Sequence, residues 1–342
     1  MKIQNVYTGA ALLCMLSVGC AYSESEVGGG GFGGFAPRES MDANNGAGPQ
    51  AGQLTAGVWD DNLNFNTFSK YVAATSTLTG APELSMSERA AANTRFSARS
   101  PKTQLDIALV LDTTGSMGDE IEYLRSEFRA LARSIGQRYP DAEQRWALVA
   151  YGDESDDYVV QAHDFVSDLE AFERILTNQP GTSGGDYPEA SHRGLNAMNQ
   201  LRWRAGSVAR LAFWVADAPH HAEHADVVAQ AFRDAASQDV HIYPVASSGV
   251  DELTEHTMRS GAQLTGGRYM FLTDDSGVGG AHKEPTIPCY FVTLLDKAVE
   301  RMVDIEMSGE HREPSSEDII RTGGDPENGQ CQFDDGIPQF VF

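Results

Sequence analysis

Between residues 101 and 304 the hydrophobic positions fall into two alternating rhythms. At 105–111, Leu105-Asp106-Ile107-Ala108-Leu109-Val110-Leu111 is an almost continuous apolar run. Such a run predicts a central parallel strand, covered on both faces. Behind it Ile121, Leu124, Phe128, Leu131 and Ile135 recur at spacings of 3 and 4, with Glu120, Glu122, Arg125, Glu127 and Arg129 off that stripe. One apolar stripe at a helical repeat predicts an amphipathic helix. Further strands are predicted at 146–151, 158–165, 211–216, 242–246 and 269–272, with helices at 169–178, 189–201, 225–237, 255–264 and 290–303. The strands at 146 and 158 follow one another without a helix, which predicts a hairpin with an antiparallel edge strand. The sum is an α/β domain over 101–304: an open, doubly wound, mostly parallel six-stranded sheet with helices on both faces.

The flanks read differently. Lys2, an apolar run at 10–16 and Ser17-Val18-Gly19-Cys20 form an export signal over 1–19, too short to span a bilayer as a mature helix. Residues 20–50 carry Gly28 to Gly31, Gly33 and Gly34 among small polar residues, the composition of a flexible tether. Residues 51–100 form an irregular lead-in whose Trp59, Leu63, Phe65, Phe68 and Tyr71 can pack on the main domain. The polar, turn-rich tail at 305–342 is predicted to be partly disordered. A small residue directly before Cys20 resembles the lipobox of bacterial lipoproteins, although Ser17 stands where that family usually has Leu. The resemblance implies lipidation at Cys20 and a membrane-anchored lipoprotein of the bacterial envelope, at the outer membrane or cell surface. An ordinary cleaved signal, giving a secreted protein, is the alternative.

Composition narrows the partners. The chain has 342 residues, with 49 Asp plus Glu against 25 Lys plus Arg and a net charge of -24. That surface repels phosphate backbones and anionic headgroups, so nucleic acid is excluded and membrane contact is left to the lipid anchor. Cations or basic partner surfaces suit it better. None of Cys14, Cys20, Cys289 and Cys331 forms a CxxC pair, which argues against a zinc ribbon or redox dithiol. With Cys14 removed and Cys20 lipidated, Cys289 and Cys331 remain as an even pair. They are either a disulfide or two structural thiols.

Open α/β sheets bind ligands at the carboxyl ends of their strands, where strand order reverses. The first strand runs into Asp112-Thr113-Thr114-Gly115-Ser116-Met117 and the fourth into Asp217-Ala218-Pro219. Asp112, Thr114 and Ser116 place one carboxylate and two hydroxyls at alternate positions of one turn. Oxygen ligands of low charge suit a hard divalent cation, Mg2+ before Ca2+ or Mn2+. The bland reading of Thr114 and Ser116 is capping of the following helix. That reading is weak for Asp112 and Asp217, since two carboxylates at one crevice repel without a cation between them.

Asp112-Thr-Thr-Gly-Ser116 resembles the metal-ion-dependent adhesion site (MIDAS) signature of von Willebrand factor type A domains. Phe213-Trp214-Val215-Ala216-Asp217 is similar to that family's fourth strand with its metal-linked aspartate. The resemblance implies a non-enzymatic, metal-dependent protein-binding module, with an acidic side chain of the partner completing the metal's shell. The family's third contribution is a threonine, and here the chain departs. The loop reads Gly181-Thr182-Ser183-Gly184-Gly185-Asp186-Tyr187-Pro188-Glu189. Asp186 is the expected replacement, with Thr182 and Glu189 behind it. A third carboxylate would favour Ca2+. The competing role for Asp186 is a helix cap before Pro188.

Other signals point elsewhere. His220-His221-Ala222-Glu223-His224 contains HxxEH, which defines the alternative function: a metal-dependent hydrolase using this cluster or the same crevice. Thr273-Asp274-Asp275-Ser276-Gly277 is a turn or a second Ca2+ loop. Asp112 would repel a phosphate at Thr113-Thr114-Gly115-Ser116, and Thr114 stands where a haloacid-dehalogenase-type phosphatase needs its second Asp.

Overall fold

The computed structural model describes residues 52–59, 64–96, 100–181, 187–285, 287, 289–326, 330–332 and 338–340. The export signal, Cys20 and the tether lie outside the described residues. The chain enters its sheet through β1 (Thr55–Trp59), buried throughout, in the stretch whose pattern predicts an irregular lead-in. Five residues are too few for a periodicity, and Gly57 interrupts the apolar run. That glycine is required because Phe271 lies over it: a Cβ there would stand 2.2 Å from the ring. Helices α1 (Phe65–Ala74) and α2 (Met86–Phe96) follow.

The expected alternation then begins. β2 (Gln104–Asp112), α3 (Gly118–Arg138), β3 (Glu143–Tyr151), β4 (Val160–Val166), α4 (Leu169–Asn178) and α5 (Ser191–Asn199) come first. β5 (Val208–Ala216), α6 (Ala225–Ser237), β6 (His241–Ala246), α7 (Glu252–Thr265) and β7 (Tyr269–Leu272) complete it. The predicted helix at 290–303 is corrected: β8 (Tyr290–Leu294) precedes α8 (Leu295–Ser308). Tyr-Phe-Val-Thr-Leu favours a strand, and it pairs with the outer edge of β1. The tail also has more structure than its composition predicts. β9 (Arg321–Gly323) pairs with β8, and β10 (Gln330–Gln332) pairs with β11 (Pro338–Phe340).

Among the described residues the main sheet has nine strands, rather than six, in the order β4-β3-β2-β5-β6-β7-β1-β8-β9. β3, β2, β5, β6 and β7 are parallel, and β4 is the antiparallel edge. β1 is antiparallel to both β7 and β8. Successive β2 residues serve opposite layers, as a pleated strand requires. Ile107, Leu109 and Leu111 pack with Leu124, Phe128, Phe172 and Val299, whereas Ala108 and Val110 pack with Leu195, Val228 and Met258. Among the described residues, no helix is long and apolar enough to cross a membrane.

Several charges inside these layers have partners. Asp106 interrupts the apolar run of β2 and is fully buried. Arg145 donates to its two oxygens at 2.9 and 2.7 Å, and Arg204 Nε donates at 2.9 Å. Burial alone would raise this carboxyl's pKa; the two guanidiniums hold it below its usual range. Two carboxylates off the apolar stripe of α3 are also buried. Glu127 accepts the backbone N–H of Gln53 at 2.7 Å and thereby ties the entry of β1 to α3. Glu120 meets His282 Nε2 at 3.0 Å. Cys289, just before β8, is joined to Cys331 of β10 with Cα atoms 6.0 Å apart.

Candidate metal centre

β2 has β3 on one side and β5 on the other, so the crevice opens at their carboxyl ends. β2 delivers Asp112 there without exposure to solvent. Its Oδ1 accepts Thr114 N–H at 3.0 Å and the Thr114 hydroxyl at 2.7 Å. Thr114 Oγ1 and Ser116 Oγ are 3.2 Å apart. Neither hydroxyl caps a helix. Thr114 makes no side-chain cap bond to the 3-10 turn Gly115–Met117, and the cap position of α3 is Met117. The turn instead gathers oxygens around Asp112 and, through the Ser116 hydroxyl, Asp217.

Asp217 follows the last residue of β5 and is buried. A further buried carboxylate nearby is Glu189. Its N–H donates to Pro219 carbonyl at 2.9 Å, and a parallel bridge pairs it with His220, so the chain before α5 lies along the exit of β5. Asp112, Asp217 and Glu189 each bury one oxygen without a hydrogen-bond partner: Oδ2, Oδ1 and Oε2. Burial, then the charge of Asp217, pushes the Asp112 carboxyl up to about 7 against the pull of the Thr114 bonds. Burial, then Asp112, Asp153, Asp156 and Asp217, pushes Glu189 up to about 9. Burial raises Asp217 too, opposed by the Ser116 hydroxyl. Such a donor set, anionic oxygens beside two hydroxyls, fits a hard divalent cation that would neutralise the repulsion.

A packing detail fixes the floor of this crevice. Trp214 Nε1 donates to the Tyr151 hydroxyl at 3.0 Å, and Tyr151 lies against Asp112. Gly194 of α5 makes room for that ring, since a Cβ there would stand 2.6 Å from Tyr151.

Asp112, Thr114, Ser116, Asp217 and Glu189 therefore lie at one crevice, where the carboxylates raise one another's pKa. Thr182 and Asp186 lie outside the described residues. The HxxEH reading is corrected. His220 is buried with Nε2 2.8 Å from the Gly80 carbonyl, and Glu223 is exposed, so the motif does not assemble as one ligand set. A single 3-10 turn, Ala222–His224, splits its residues between core and rim. In the 273–277 loop, Asp274 is paired with His282 at 2.8 Å and Asp275 with Arg321 at 2.9 Å. Those contacts make it a braced turn. Sequence reasoning missed Glu154 and His192, which meet His224 at the crevice rim. No spacing signal marks them, because each comes from a different loop or helix.

Parts of this chain are similar to known proteins. A curated relative, the alpha-protein kinase vwkA of Dictyostelium discoideum, is 25% identical over 118 residues, covering 34% of this chain and 19% of the kinase. The chain thus spans about a fifth of that relative's length. The crystal structure of the conserved hypothetical protein BatB from Bacteroides thetaiotaomicron matches at 13% identity and a TM-score of 0.40, covering 60% of this chain and 98% of BatB. The family model of the von Willebrand factor A domain matches residues 106–277, half of the sequence and nearly all of the β2-to-β7 core that carries the carboxylate crevice, and the chain belongs to that family.

Proposed function

We propose that this protein is a divalent-metal-dependent protein-binding module of the bacterial cell envelope. Von Willebrand factor A domains are in general protein-interaction modules, and the chain carries one. One observation carries the metal reading: three buried carboxylates at the sheet's crevice raise one another's pKa, and each has an oxygen without a hydrogen-bond partner. Buried carboxylates are left so only at high cost, and a cation removes it. Asp112, Thr114, Ser116 and Asp217 would hold the ion directly or through water, with Glu189 as the third carboxylate. Mg2+ is the first choice and Ca2+ or Mn2+ the alternatives. When bound, the ion offers a Lewis-acidic position that a partner's acidic side chain can fill. The residues present do the rest: Thr114 fixes Asp112, Ser116 fixes Asp217, and the net charge of -24 disfavours anionic polymers. Cys20 would supply the lipid anchor that holds the module at the membrane.

Calorimetric titration with Mg2+ tests the reading. The wild-type protein is expected to bind one ion and Asp112→Ala none, with unchanged circular dichroism in the variant. Equal affinities would remove Asp112 from the site.

A further inference from the structure

Beside the carboxylate crevice lies a second cluster of different chemistry. Glu154 stands on the loop between β3 and β4, His192 in the first turn of α5, and His224 at the end of the turn before α6. One ligand atom from each lies within 4.8 Å of the others. His192 Nε2 is 3.6 Å from Glu154 Oε1, and the His192 and His224 rings are 4.0 Å apart at their centroids. A tetrahedral ion with bonds of 2.0–2.1 Å sets its ligand atoms about 3.4 Å apart, so the cluster needs only small side-chain rotations to close on one.

His192 supplies the independent observation. The residue is 2% exposed, yet neither Nδ1 nor Nε2 has a hydrogen-bond partner. An imidazole buried with both nitrogens unsatisfied is costly unless something accepts its lone pair. The other features suit that purpose. Arg193 Nε donates to Glu154 Oε1 at 3.1 Å and fixes the carboxylate in place. His221 packs edge-on to both imidazoles, at 6.4 Å from His192 and 6.2 Å from His224. Its Nε2 is 2.6 Å from Asp153 Oδ1, which braces the wall of the cluster. Glu154 remains 44% exposed, so an ion can enter from solvent.

We propose that Glu154, His192 and His224 form a second divalent-metal site, selective for a borderline ion of the zinc class, on the rim of the crevice. Two imidazoles with one carboxylate bind Zn2+, Co2+ or Ni2+ in preference to Mg2+ or Ca2+, which take oxygen ligands. The two sites therefore sort ions by ligand chemistry. Neither depends on the other being filled. The cluster uses His224 of the HxxEH run but takes its other ligands from elsewhere in the chain.

The test is a Co2+ titration of untagged, chelator-stripped full-length protein in excess Mg2+, followed by visible absorption, with Zn2+ then added as competitor. One equivalent of Co2+ is expected to give the absorption bands of a low-coordinate site, and one equivalent of Zn2+ to abolish them. His192→Ala and His224→Gln are expected to weaken Co2+ binding at least about 10-fold. Asp112→Ala should leave it unchanged. If His192→Ala fails to fold, His224→Gln and Glu154→Gln make the same comparison from rim positions. Absence of saturable absorption, equal affinity in the rim variants, or loss of the signal in Asp112→Ala would each overturn the proposal.

Discussion

Replacing Asp112 with Asn separates the charge of the site from its shape. The amide keeps an oxygen for the Thr114 N–H and hydroxyl, which lie at 3.0 and 2.7 Å. It removes one of the carboxylates that repel in the metal-free protein. The folded protein holds the Asp112 carboxyl at about 7 against an ordinary 3.8. A raised acid pKa means that the folded state binds the proton more tightly than the unfolded chain. The stabilisation is therefore complete below pH 3.8 and is lost as pH rises through 7. At 1.36 kcal/mol per pH unit the loss amounts to about 4 kcal/mol by neutral pH. Asp112→Asn should lack this loss. In a domain of this size that difference corresponds to a melting temperature on the order of 10 °C higher, relative to wild type, at pH 7.5 than at pH 4. Mg2+ should narrow the gap by stabilising the wild type alone, by about 2.7 kcal/mol at 100 times its dissociation constant. Melting curves at both pH values, with chelator and with Mg2+, make the comparison. Parallel pH profiles for the two proteins, or equal Mg2+ responses, would refute the reasoning.

Three other outcomes are expected. Glu189→Gln should weaken Mg2+ binding and raise metal-free stability, while Asp186→Thr should leave the Mg2+-induced melting shift as in wild type; the opposite pattern would make Asp186 the third carboxylate. Asp106→Ala should cost about 3 kcal/mol in urea unfolding, because Arg145 and Arg204 lose the buried anion that pairs them, and an effect under about 1 kcal/mol would contradict that pairing. Cys20→Ser should move the protein from the membrane fraction to the soluble exported fraction of a lipoprotein-processing bacterium, and a variant still in the membrane would contradict the anchor.

What the sequence made legible follows from how local each signal is. The apolar run of β2, the turn at Asp112, Thr114 and Ser116, and the stripe of α3 lie within about thirty consecutive residues, so pattern and chemistry reinforce one another. Asp217 was legible for the same reason, as a carboxylate directly behind a buried strand. β8 was not, because Tyr290–Leu294 runs into α8 without a Gly or Pro between them, and apolar periodicity alone does not mark the change. β1 owes its place to distant strands. Its central glycine reads as a break until Phe271 is seen above it. Glu189 was a candidate in the sequence, but its place beside β5 comes from the bridge to His220, a contact that no spacing rule supplies. The rim cluster is the extreme case, since Glu154, His192 and His224 meet only after a loop, a helix and a 3-10 turn are in place. Asp106 is a lone charge inside an apolar strand, and its counter-ions Arg145 and Arg204 come from outside that strand.

The most direct test of the central claim is to locate the ion. Crystals of the protein soaked in Mn2+, with anomalous data collected above the manganese edge, should show one peak coordinated directly or through one water by Asp112, Ser116 and Asp217, and that peak should vanish in Asp112→Ala. No peak at the carboxyl ends of β2 and β5, or an undiminished peak in the variant, would contradict a metal centre built from these carboxylates.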